Sequence, residues 1–342
     1  MNSERHFPAE WDAQDAVLLT WPHPQSDWAP LLAEAEAVYC EIIRRILQQQ
    51  TVILTTPDLG RTRNVLCRAG INESHLQLFH LPSNDTWARD FGPLCVFQQG
   101  RPVLLDFTFN GWGNKFQADL DNQITAGLHR LGAFAATTLV ASGLVLEGGS
   151  LESDGQGTLL TTSQCLLEQN RNPHLSREQL DTLLRNTFGV GQVLWLEEGH
   201  LNGDDTDAHI DTLARFAPGR TIIYQGCADP NDEHYHSLQA MAAQLKSFRA
   251  LDGQAYQLRE LPLPRPILAD EGYRLPATYA NFLIINGAVL VPTYQDPADP
   301  AALKIIGAAF PNREIIGIDC RTLIKQHGSL HCVTMQIPKG VL

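Results

Sequence analysis

The sequence lacks several features that would assign it to a familiar class. No apolar run approaches the ~20 residues needed to cross a bilayer, and no basic segment followed by an apolar core stands near its beginning. The formal net charge is −13, which argues against a nucleic acid or an anionic membrane as partner and is compatible with a cationic ligand. We therefore expect a soluble, cytoplasmic protein.

Cysteines at metal-binding or redox spacing are also missing. The seven cysteines are odd in number and include no C-x-x-C pair, so neither a disulfide framework nor a zinc knuckle is indicated. Cys332 stands apart from the others. The remaining six lie among apolar neighbours or in helical patterns, which predicts small core residues: Cys40, Cys67, Cys95, Cys165, Cys227 and Cys320.

Hairpin patterns recur along the chain, and helical patterns separate them. Turn signals at 98–100, 154–157, 218–219 and 286–287 each stand between two strand-like runs. Helical periodicity is found at 31–47, 58–68, 117–131, 177–188, 234–248 and 301–310. A strand at 16–20 and a last strand in LHCVTMQIP each lack a hairpin partner, so pairing of the two ends would complete a fifth unit.

This repetition of strands and helices predicts an α/β protein. Similar units that recur along a chain are typical of solenoid or radial architectures, and pairing of the two ends favours the radial one, because it leaves no long free edge. A pair of ordinary α/β domains is the alternative that the pattern leaves open.

Polar residues stand at the beginnings of the strand patterns. Asp90 precedes the first hairpin, Glu147 the second, His209 and Asp211 the third, and Cys332 lies in the closing strand. In a radial array equivalent strand ends meet near the axis, so we expect these residues to share one pocket. We also expect His209 and Asp211 to lie on one face of a strand, because side chains alternate along a strand.

The predicted set of side chains suits chemistry on a cation. A cysteine needs a neighbouring base or cation to form a thiolate near neutral pH, and His209 is the candidate, with Glu147 fixing its tautomer. Two further carboxylates beside a thiolate would repel an acyl or phosphoryl substrate. Asp90 and Asp211 could instead clamp a planar guanidinium while Cys332 faces its central carbon.

Segments along nearly the whole chain carry a family resemblance. They are PAEWDAQDAVLLTWP, WARDFGP, FNGWGNKF, LEGGSLESDGQGTLLTT, DDTDAHIDTLARF and GSLHC. In this order they closely resemble the agmatine deiminase family of the guanidine-modifying enzymes, also called the bacterial peptidylarginine deiminase family.

The resemblance implies a five-bladed αβ propeller of pseudo-fivefold ββαβ repeats, with residues 1–342 as a single catalytic domain. It also implies an amidine hydrolase without cofactor or metal, which converts agmatine and water into N-carbamoylputrescine and ammonia in putrescine biosynthesis. Cys332 would be the nucleophile, His209 the general acid and base with Glu147 as its partner, and Asp90 and Asp211 the guanidinium ligands. A homodimer is expected by resemblance alone.

The part of the site that would hold the rest of the substrate differs from the family pattern. Family members carry GGGNIHC where this chain has HGSLHC, and Asn where it has Thr212. Trp87 and Trp112 could stack on the aliphatic part of the substrate, although a tryptophan is more often a core residue.

Other functions remain open. Deimination of free or peptidyl arginine, or of another guanidine, would use the same residues. A binding module for cationic ligands would need only the carboxylates. For a metal hydrolase the sequence lacks a motif such as H-E-x-x-H, and this function would leave Cys332, Asp90 and Glu147 unexplained. For Asp204, Asp205 and Asp207 a cap or turn role is favoured over binding of the distal amine of the substrate. The metal set would be His200, Asp204, Asp205, Asp207, His209, His234 and His236.

Overall fold

The structure is a computed structural model that describes residues 5–342, so residues 1–4 of the predicted domain lie outside it. The strands of the described part are β1 Arg5–His6, β2 Gln14–Thr20, β3 Thr51–Thr56, β4 Leu76–His80, β5 Leu94–Gln98, β6 Arg101–Thr108, β7 Thr138–Val145, β8 Glu152–Ser153, β9 Thr158–Thr162, β10 Gln192–Leu196, β11 Ala214–Ala217, β12 Thr221–Gln225, β13 Gln257–Leu261, β14 Leu283–Ile284, β15 Ala288–Thr293, β16 Glu314–Asp319 and β17 Met335–Pro338.

Helices connect these strands. The α-helices are α1 Leu32–Leu47, α2 Leu59–Arg68, α3 Ala88–Phe91, α4 Gly111–Asn114, α5 Ile124–Arg130, α6 Ser163–Leu166, α7 Arg177–Phe188, α8 Tyr235–Ser247 and α9 Asp299–Ala309. Short 3-10 segments cover Ala29–Leu31, Glu73–His75, Asp121–Gln123, Gly148–Ser150, Ile210–Thr212 and Leu323–Gln326.

Within residues 5–342 the strands form five mixed sheets, with the orders β1-β5-β6-β7, β10-β9-β8, β11-β12-β13, β14-β15-β16 and β17-β2-β3-β4. Each sheet contains an antiparallel pair and a parallel pair. Parallel neighbours such as β12 and β13 are separated by a helix, as crossover connections require. The predicted α/β class and the four predicted hairpins are confirmed.

The two ends of the described chain meet in one sheet. Strand β17 lies antiparallel to β2, with Met335 opposite Leu18. The predicted pairing of the first and last strands is therefore confirmed.

The sheets and helices bury a large apolar core. Strands β2, β3 and β15 are buried along nearly their whole length. Their sequences are largely continuous apolar runs, as expected of strands that are covered on both faces. Helix α7 has the bounds that the sequence predicts. Its N-terminus carries a capping box between Ser176 and Gln179, and it ends at Gly189 in the left-handed conformation.

Three local predictions are wrong. The helix expected over 117–131 is confined to α5, after a 3-10 turn at Asp121–Gln123. His209 and Asp211 do not lie on a strand, because Ile210–Thr212 is a 3-10 turn and β11 begins at Ala214. Cys332 lies in a turn before β17 rather than within the closing strand.

Two expectations from composition can be compared with the structure. Of the six cysteines predicted to be core residues, five are buried, but Cys67 on α2 is exposed. Within residues 5–342, no helix combines the length and the apolar character needed to cross a bilayer.

Candidate active site

The five predicted site residues all lie just before strands. Asp90 is on α3, ahead of β5, and Glu147 precedes the 3-10 turn that leads into β8. His209 and Asp211 flank the start of the 3-10 turn before β11, and Cys332 lies in the turn before β17. Turns and the short helix α3, rather than strand faces, therefore direct these side chains inward.

A cavity of about 370 Å³ opens beside this group. Cys332 and Asp90 line it, whereas Glu147, His209 and Asp211 are buried outside its lining. The lining residues are Gln25, Asp27, Ser83, Asn84, Asp85, Trp87, Asp90, Trp112, Phe116, Gln117, Leu120, Asp121, Asp205, Thr206, Gln326, His327, Gly328 and Cys332. Five of them are aspartates, and none of these described lining residues is lysine or arginine.

The thiol of Cys332 contacts an amide and a carboxylate. It donates a hydrogen bond to Asn281 Oδ1 at 3.4 Å, and its Sγ lies 4.0 Å from Asp211 Oδ2. Burial raises the pKa of Cys332 well above its usual value, and the negative charges of Asp211 and Asp90 raise it further. Without a ligand, the thiol is therefore the stable form.

His209 lies between two carboxyl groups without a close hydrogen bond to either. Its Nδ1 is 3.6 Å from Asp90 Oδ1, and its Nε2 is 4.0 Å from Glu147 Oε2. The buried Nε2 has no hydrogen-bond partner among the described residues. Burial lowers the pKa of His209 to about 3, so the imidazole is neutral at pH 7 and able to accept a proton.

Asp90 is held by two donors. Gly149 N donates to its Oδ1 at 2.9 Å, and Trp112 Nε1 donates to its Oδ2 at 2.9 Å. Burial raises the pKa of Asp90 well above the usual range, and the charges of Asp211 and Glu147 add to this rise. A cation bound here would offset these effects and stabilise the carboxylate.

Gly149 allows three of these side chains to converge. A Cβ at this position would lie 2.6 Å from His209 Nδ1, 2.9 Å from Asp90 Oδ1 and 3.1 Å from Asp211 Oδ2. Any larger residue would therefore displace at least one of these groups. Gly149, the second glycine of the LEGGS segment, therefore lies where His209 approaches Asp90 and Asp211, the two predicted guanidinium ligands.

Asp211 has one occupied oxygen and one free oxygen. Its Oδ2 lies 2.7 Å from His331 Nδ1, whereas its Oδ1 is buried without a hydrogen-bond partner among the described residues. Burial alone would raise the pKa of Asp211, but the hydrogen bond and charge of His331 lower it below its usual value. An ionised carboxylate with one free acceptor is suited to a ligand that donates hydrogen bonds.

Glu147 forms a buried ion pair with Arg171. The Arg171 Nε lies 2.9 and 3.0 Å from the two carboxylate oxygens, and Nη1 lies 2.8 Å from Asp207 Oδ2. Burial raises the pKa of Glu147, although the charge of Arg171 opposes the rise. Arg171 also donates to the carbonyl of Thr206 at 3.0 Å, and so joins Glu147 to the loop that carries His209.

The neighbouring aspartates have three different positions. Asp204 accepts hydrogen bonds from Ala208 N and Thr206 Oγ1, which confirms its interpretation as a turn residue. Asp207 pairs with Arg171 and Lys115, and Asp205 lines the cavity. A role in the turn alone therefore does not account for the contacts of Asp207 or for the position of Asp205 in the cavity lining.

A second cluster of charged residues lies beneath the site, and we name it the ionic layer: Glu10, Arg89, Glu152, Arg215 and His331. Arg215 pairs with Glu152 and with Glu10, the latter at 2.7 Å, and its Nη1 donates to the carbonyl of Phe282 at 2.6 Å. His331 Nε2 lies 2.7 Å from Glu10 Oε2. Every member is buried.

Both predicted tryptophans line the cavity and contact acidic residues. Trp112 bonds to Asp90 and adopts a left-handed backbone conformation, with φ 55°. Trp87 Nε1 donates to Asp85 Oδ2 at 3.1 Å. A Cβ on Gly328 would lie 2.1 Å from the Trp87 ring, so this glycine lets the HGSLHC segment pack directly against the indole.

Two buried groups of side chains in residues 5–342 have metal-like spacing: Glu147, Cys165 and His209, and Glu10, Glu152 and His331. In each group an arginine already neutralises carboxylates, Arg171 in the first and Arg215 in the second. A metal ion would therefore face an adjacent positive charge. His209 is the one member of the proposed metal-hydrolase set that appears in either group.

An α/β fold that gathers a thiol, an imidazole and three carboxylates beside an acidic cavity is the arrangement of an enzyme acting on the C–N bond of a guanidine or amidine. The chain belongs to the Porphyromonas-type peptidyl-arginine deiminase family, whose model matches residues 6–338.

Several similar proteins carry deiminase names. The agmatine deiminase of Pseudomonas putida is 33% identical, with 98% of this chain and 96% of that protein covered. A C. jejuni agmatine deiminase variant with a cysteine replaced by serine, solved with substrate bound, is 42% identical over 99% and 97% of the two chains, with a TM-score of 0.92. A structure from Porphyromonas gingivalis, described as a proposed arginine deiminase, is 52% identical over 99% and 100%, with a TM-score of 0.94.

Several residues of the site were not identified from the sequence. His331 stands next to Cys332 in GSLHC and Gly149 stands in LEGGS, so both motifs contained a signal. Glu10 stands in PAEWDAQDAVLLTWP, which also carried the resemblance. Asn281 and Arg171 contact the site from segments outside these motifs, and nothing in their local sequence distinguishes them.

Proposed function

We propose that the protein is an agmatine deiminase that converts agmatine and water into N-carbamoylputrescine and ammonia. The observation that carries this function is the acidic cavity with Cys332 and Asp90 in its wall and His209, Glu147 and Asp211 behind it. A dicationic guanidine matches both the carboxylates near the thiol and the additional aspartates of the lining.

Asp90 and Asp211 would bind the guanidinium. Asp211 offers an unpartnered Oδ1, and both carboxylates lie around Gly149. A planar guanidinium between them would fill their acceptor positions with N–H donors. The same cation would oppose the negative charges that raise the pKa of Cys332, so substrate binding would favour the thiolate.

The reaction follows from these positions. Neutral His209 takes the proton of Cys332, and the thiolate attacks the guanidinium carbon to form a C–S bond. The C–N bond then breaks, and ammonia leaves with a proton from His209. A water molecule that gives a proton to His209 attacks the S-linked amidino intermediate. The C–S bond breaks, the hydroxyl proton of the adduct passes to sulfur as the ureido carbonyl forms, and His209 releases its proton to solvent. Glu147, fixed by Arg171, would stabilise the protonated imidazole.

The distal ammonium of agmatine would bind near Asp85. This residue lines the cavity, and its Oδ1 is buried without a hydrogen-bond partner among the described residues. Burial raises the pKa of Asp85 to about 7, which a nearby ammonium would lower. Trp87 and Trp112 line the cavity beside these acids and would pack on the methylene chain.

Arginine is the second candidate substrate, because a 52% identical structure is described as a proposed arginine deiminase. Arginine has the same guanidinium, but its α-carboxylate would lie among aspartates without a lysine or arginine in the described lining. Like charges in a partly closed cavity repel, so the lining favours agmatine. A peptidyl arginine lacks this carboxylate but must fit its backbone into the cavity.

The larger architecture belongs to the same proposal. We interpret the five sheets as the blades of a propeller formed by residues 1–342 as a single catalytic domain, and pairing of β17 with β2 supports this interpretation. A homodimer and a cytoplasmic location stay predictions. Light scattering of the purified protein would measure the first, and cell fractionation the second.

Ammonia and ureido-product release from agmatine, arginine and a blocked arginyl peptide tests the function. Agmatine turnover should exceed the others, and Cys332→Ala should abolish it, because the nucleophile is removed; losses for such residues reach about 10⁶-fold. Cys40→Ala, a buried cysteine of α1, is the matched control and should retain activity. Turnover of arginine alone would reassign the substrate, and full activity of Cys332→Ala would overturn the mechanism.

A further inference from the structure

We propose that His331 is a positioning residue, held as a doubly protonated imidazolium between Asp211 and Glu10, and that it directs the free oxygen of Asp211 towards the substrate. The role of Asp211 as a guanidinium ligand rests on the proposed function. The state of the imidazole does not, and it can be measured without turnover.

Both ring nitrogens of His331 face carboxylate oxygens at short distance. Nδ1 lies 2.7 Å from Asp211 Oδ2, and Nε2 lies 2.7 Å from Glu10 Oε2. An ionised carboxylate only accepts hydrogen bonds, so each contact needs its own hydrogen, and a neutral imidazole carries one. Either the ring is doubly protonated or one carboxyl group holds the second proton.

The remaining contacts of Glu10 exclude this carboxyl group as the holder of the second proton. Glu10 Oε1 accepts from the backbone N–H of Ile284 at 2.7 Å, and Oε2 also faces Arg215 Nη2 at 2.7 Å. Both oxygens are therefore occupied as acceptors, as expected of a carboxylate. Burial would raise the pKa of Glu10, but Arg215 and His331 lower it below its usual range. For Asp211, burial alone would raise the pKa, but the hydrogen bond and charge of His331 lower it, so this carboxyl group is ionised as well.

The charges around His331 balance when the ring is positive. Three carboxylates act on it, those of Glu10, Glu152 and Asp211. The arginines of the ionic layer supply two positive charges, from Arg215 and from Arg89, whose Nε donates to the His331 carbonyl at 3.4 Å. The imidazolium is the third positive charge. A buried cluster without net charge costs far less than one with an unpaired carboxylate.

His331 also holds the segment of the nucleophile. Its backbone N–H donates to Asn281 Oδ1 at 2.9 Å, and the same oxygen accepts from the Cys332 thiol at 3.4 Å. Its side chain occupies Asp211 Oδ2, which leaves Oδ1 as the unpartnered oxygen. One residue therefore fixes both the carboxylate that would bind the guanidinium and the thiol that would attack it.

Two amide substitutions separate the two hydrogen bonds. The amide of His331→Asn can reach the position of Nδ1 and donate to Asp211, whereas the longer His331→Gln can reach that of Nε2 and donate to Glu10. We expect His331→Asn to retain kcat/KM within about tenfold, and His331→Gln to lose about 100-fold or more, because Asp211 is no longer oriented. The loss should include a higher KM for agmatine.

Thermal melting of both variants controls for folding. A purely structural role would lower activity in proportion to stability, so equal losses in two variants of equal Tm would overturn the positioning role. Retention of full activity by His331→Gln would overturn it as well.

The protonation state is measured on the wild-type protein by ¹⁵N NMR of labelled histidine side chains. One of the 12 histidines should have both ring nitrogens protonated, because each N–H donates to a carboxylate oxygen. That signal should vanish in His331→Asn or His331→Gln. Neutral patterns for every histidine would overturn the imidazolium. Since this measurement needs no substrate, failure of agmatine turnover alone would reject the proposed function and leave the imidazolium standing.

Discussion

Two buried histidines close to Asp211 differ in almost every contact. His209 lies 3.6 and 4.0 Å from its carboxyl neighbours and has an unpartnered Nε2 among the described residues. His331, in the ionic layer, has both nitrogens 2.7 Å from carboxylate oxygens. Loose contacts leave a base free to take and return a proton, whereas two short ion pairs hold a ring in place.

The regions around the two rings differ in the same way. Near the cavity, Asp211 Oδ1, Asp85 Oδ1 and His209 Nε2 are buried without hydrogen-bond partners in the described chain. In the ionic layer Arg89 Nη2 is also buried without a hydrogen-bond partner among the described residues, although it lies 3.9 Å from Glu10 Oε2. An unpartnered buried polar atom costs about 1–3 kcal/mol. We therefore interpret the three unpartnered atoms near the cavity as groups that are available to a ligand. The ion pairs of the ionic layer, in contrast, hold the structure beneath the site in place.

Among substitutions that compare the two histidine regions, that of His209 should give the largest effect on turnover. His209→Asn removes the proposed proton carrier, so kcat should fall about 10³-fold, while Tm should change little because the replaced ring nitrogen had no partner to lose. Ammonia release and thermal melting would measure both. The exposed His200→Asn is the matched control. If the Tm of His209→Asn decreased as much as that of an ionic-layer variant, the proposed difference between the two regions would be wrong.

Substitution of Arg215 should act mainly on stability. Arg215→Met leaves the buried carboxylates of Glu10 and Glu152 without their guanidinium, and breaking such a pair costs about 3–5 kcal/mol. Chemical denaturation would measure the free energy of unfolding. Arg321→Met, which removes an exposed ion pair to Asp319, should cost about 0–1 kcal/mol. Equal effects of the two substitutions would show that the ionic layer adds no stability beyond a surface pair.

Gly149→Ala should lower activity and also cost about 1–3 kcal/mol of stability, because the added Cβ overpacks a buried site. The added Cβ would lie within 3.1 Å of His209, Asp90 and Asp211, and displacement of reacting groups by about 1 Å costs about 100-fold in rate. Gly143→Ala is the matched control, because its Cβ would meet no atom within 4 Å. Similar kcat/KM for both variants would show that the cluster tolerates a shift.

The smallest expected effect concerns Asp85 and pH. Burial raises the pKa of Asp85 to about 7, so the carboxyl group is largely protonated below pH 7 and ionised above it. Binding of an ammonium needs the ionised form, so KM for agmatine should fall as pH rises through about 7. Asp85→Asn should raise KM about tenfold at pH 8 and flatten this part of the profile. An unchanged profile would remove Asp85 from the distal site.

The same shift predicts a stability effect with a defined sign. Because the folded-state pKa of Asp85 is above the value of about 3.9 for an unfolded chain, the folded protein binds this proton more tightly. The associated stability is complete below about pH 4 and is lost as pH rises through about 7. The Tm of Asp85→Asn should therefore increase relative to that of the unsubstituted protein between pH 5 and pH 8.

Local patterns predicted most elements, and tertiary contacts explain the failures. The helix at 177–188 has a capping box and an apolar face of its own, so its sequence is sufficient. In the region 117–131 the α-helix is confined to α5, because the backbone N–H groups of Leu120 and Asp121 donate to the side chain of Asn84 instead of to a preceding turn of helix. At Thr212 the hydroxyl and the N–H both bond to the carbonyl of His209, which closes a turn where alternation predicted a strand.

The sequence by itself determined the α/β class, the four hairpins, the family and the five residues that stand before the strands, because each is written in local periodicity or in a short motif. Only the tertiary structure decided which of these five side chains are free to react. His331 and Glu10 are 321 positions apart, and Arg215 and Glu10 are 205 apart. Burial, ionisation and the orientation of a carboxylate depend on such contacts between remote segments, and no local pattern encodes those distances.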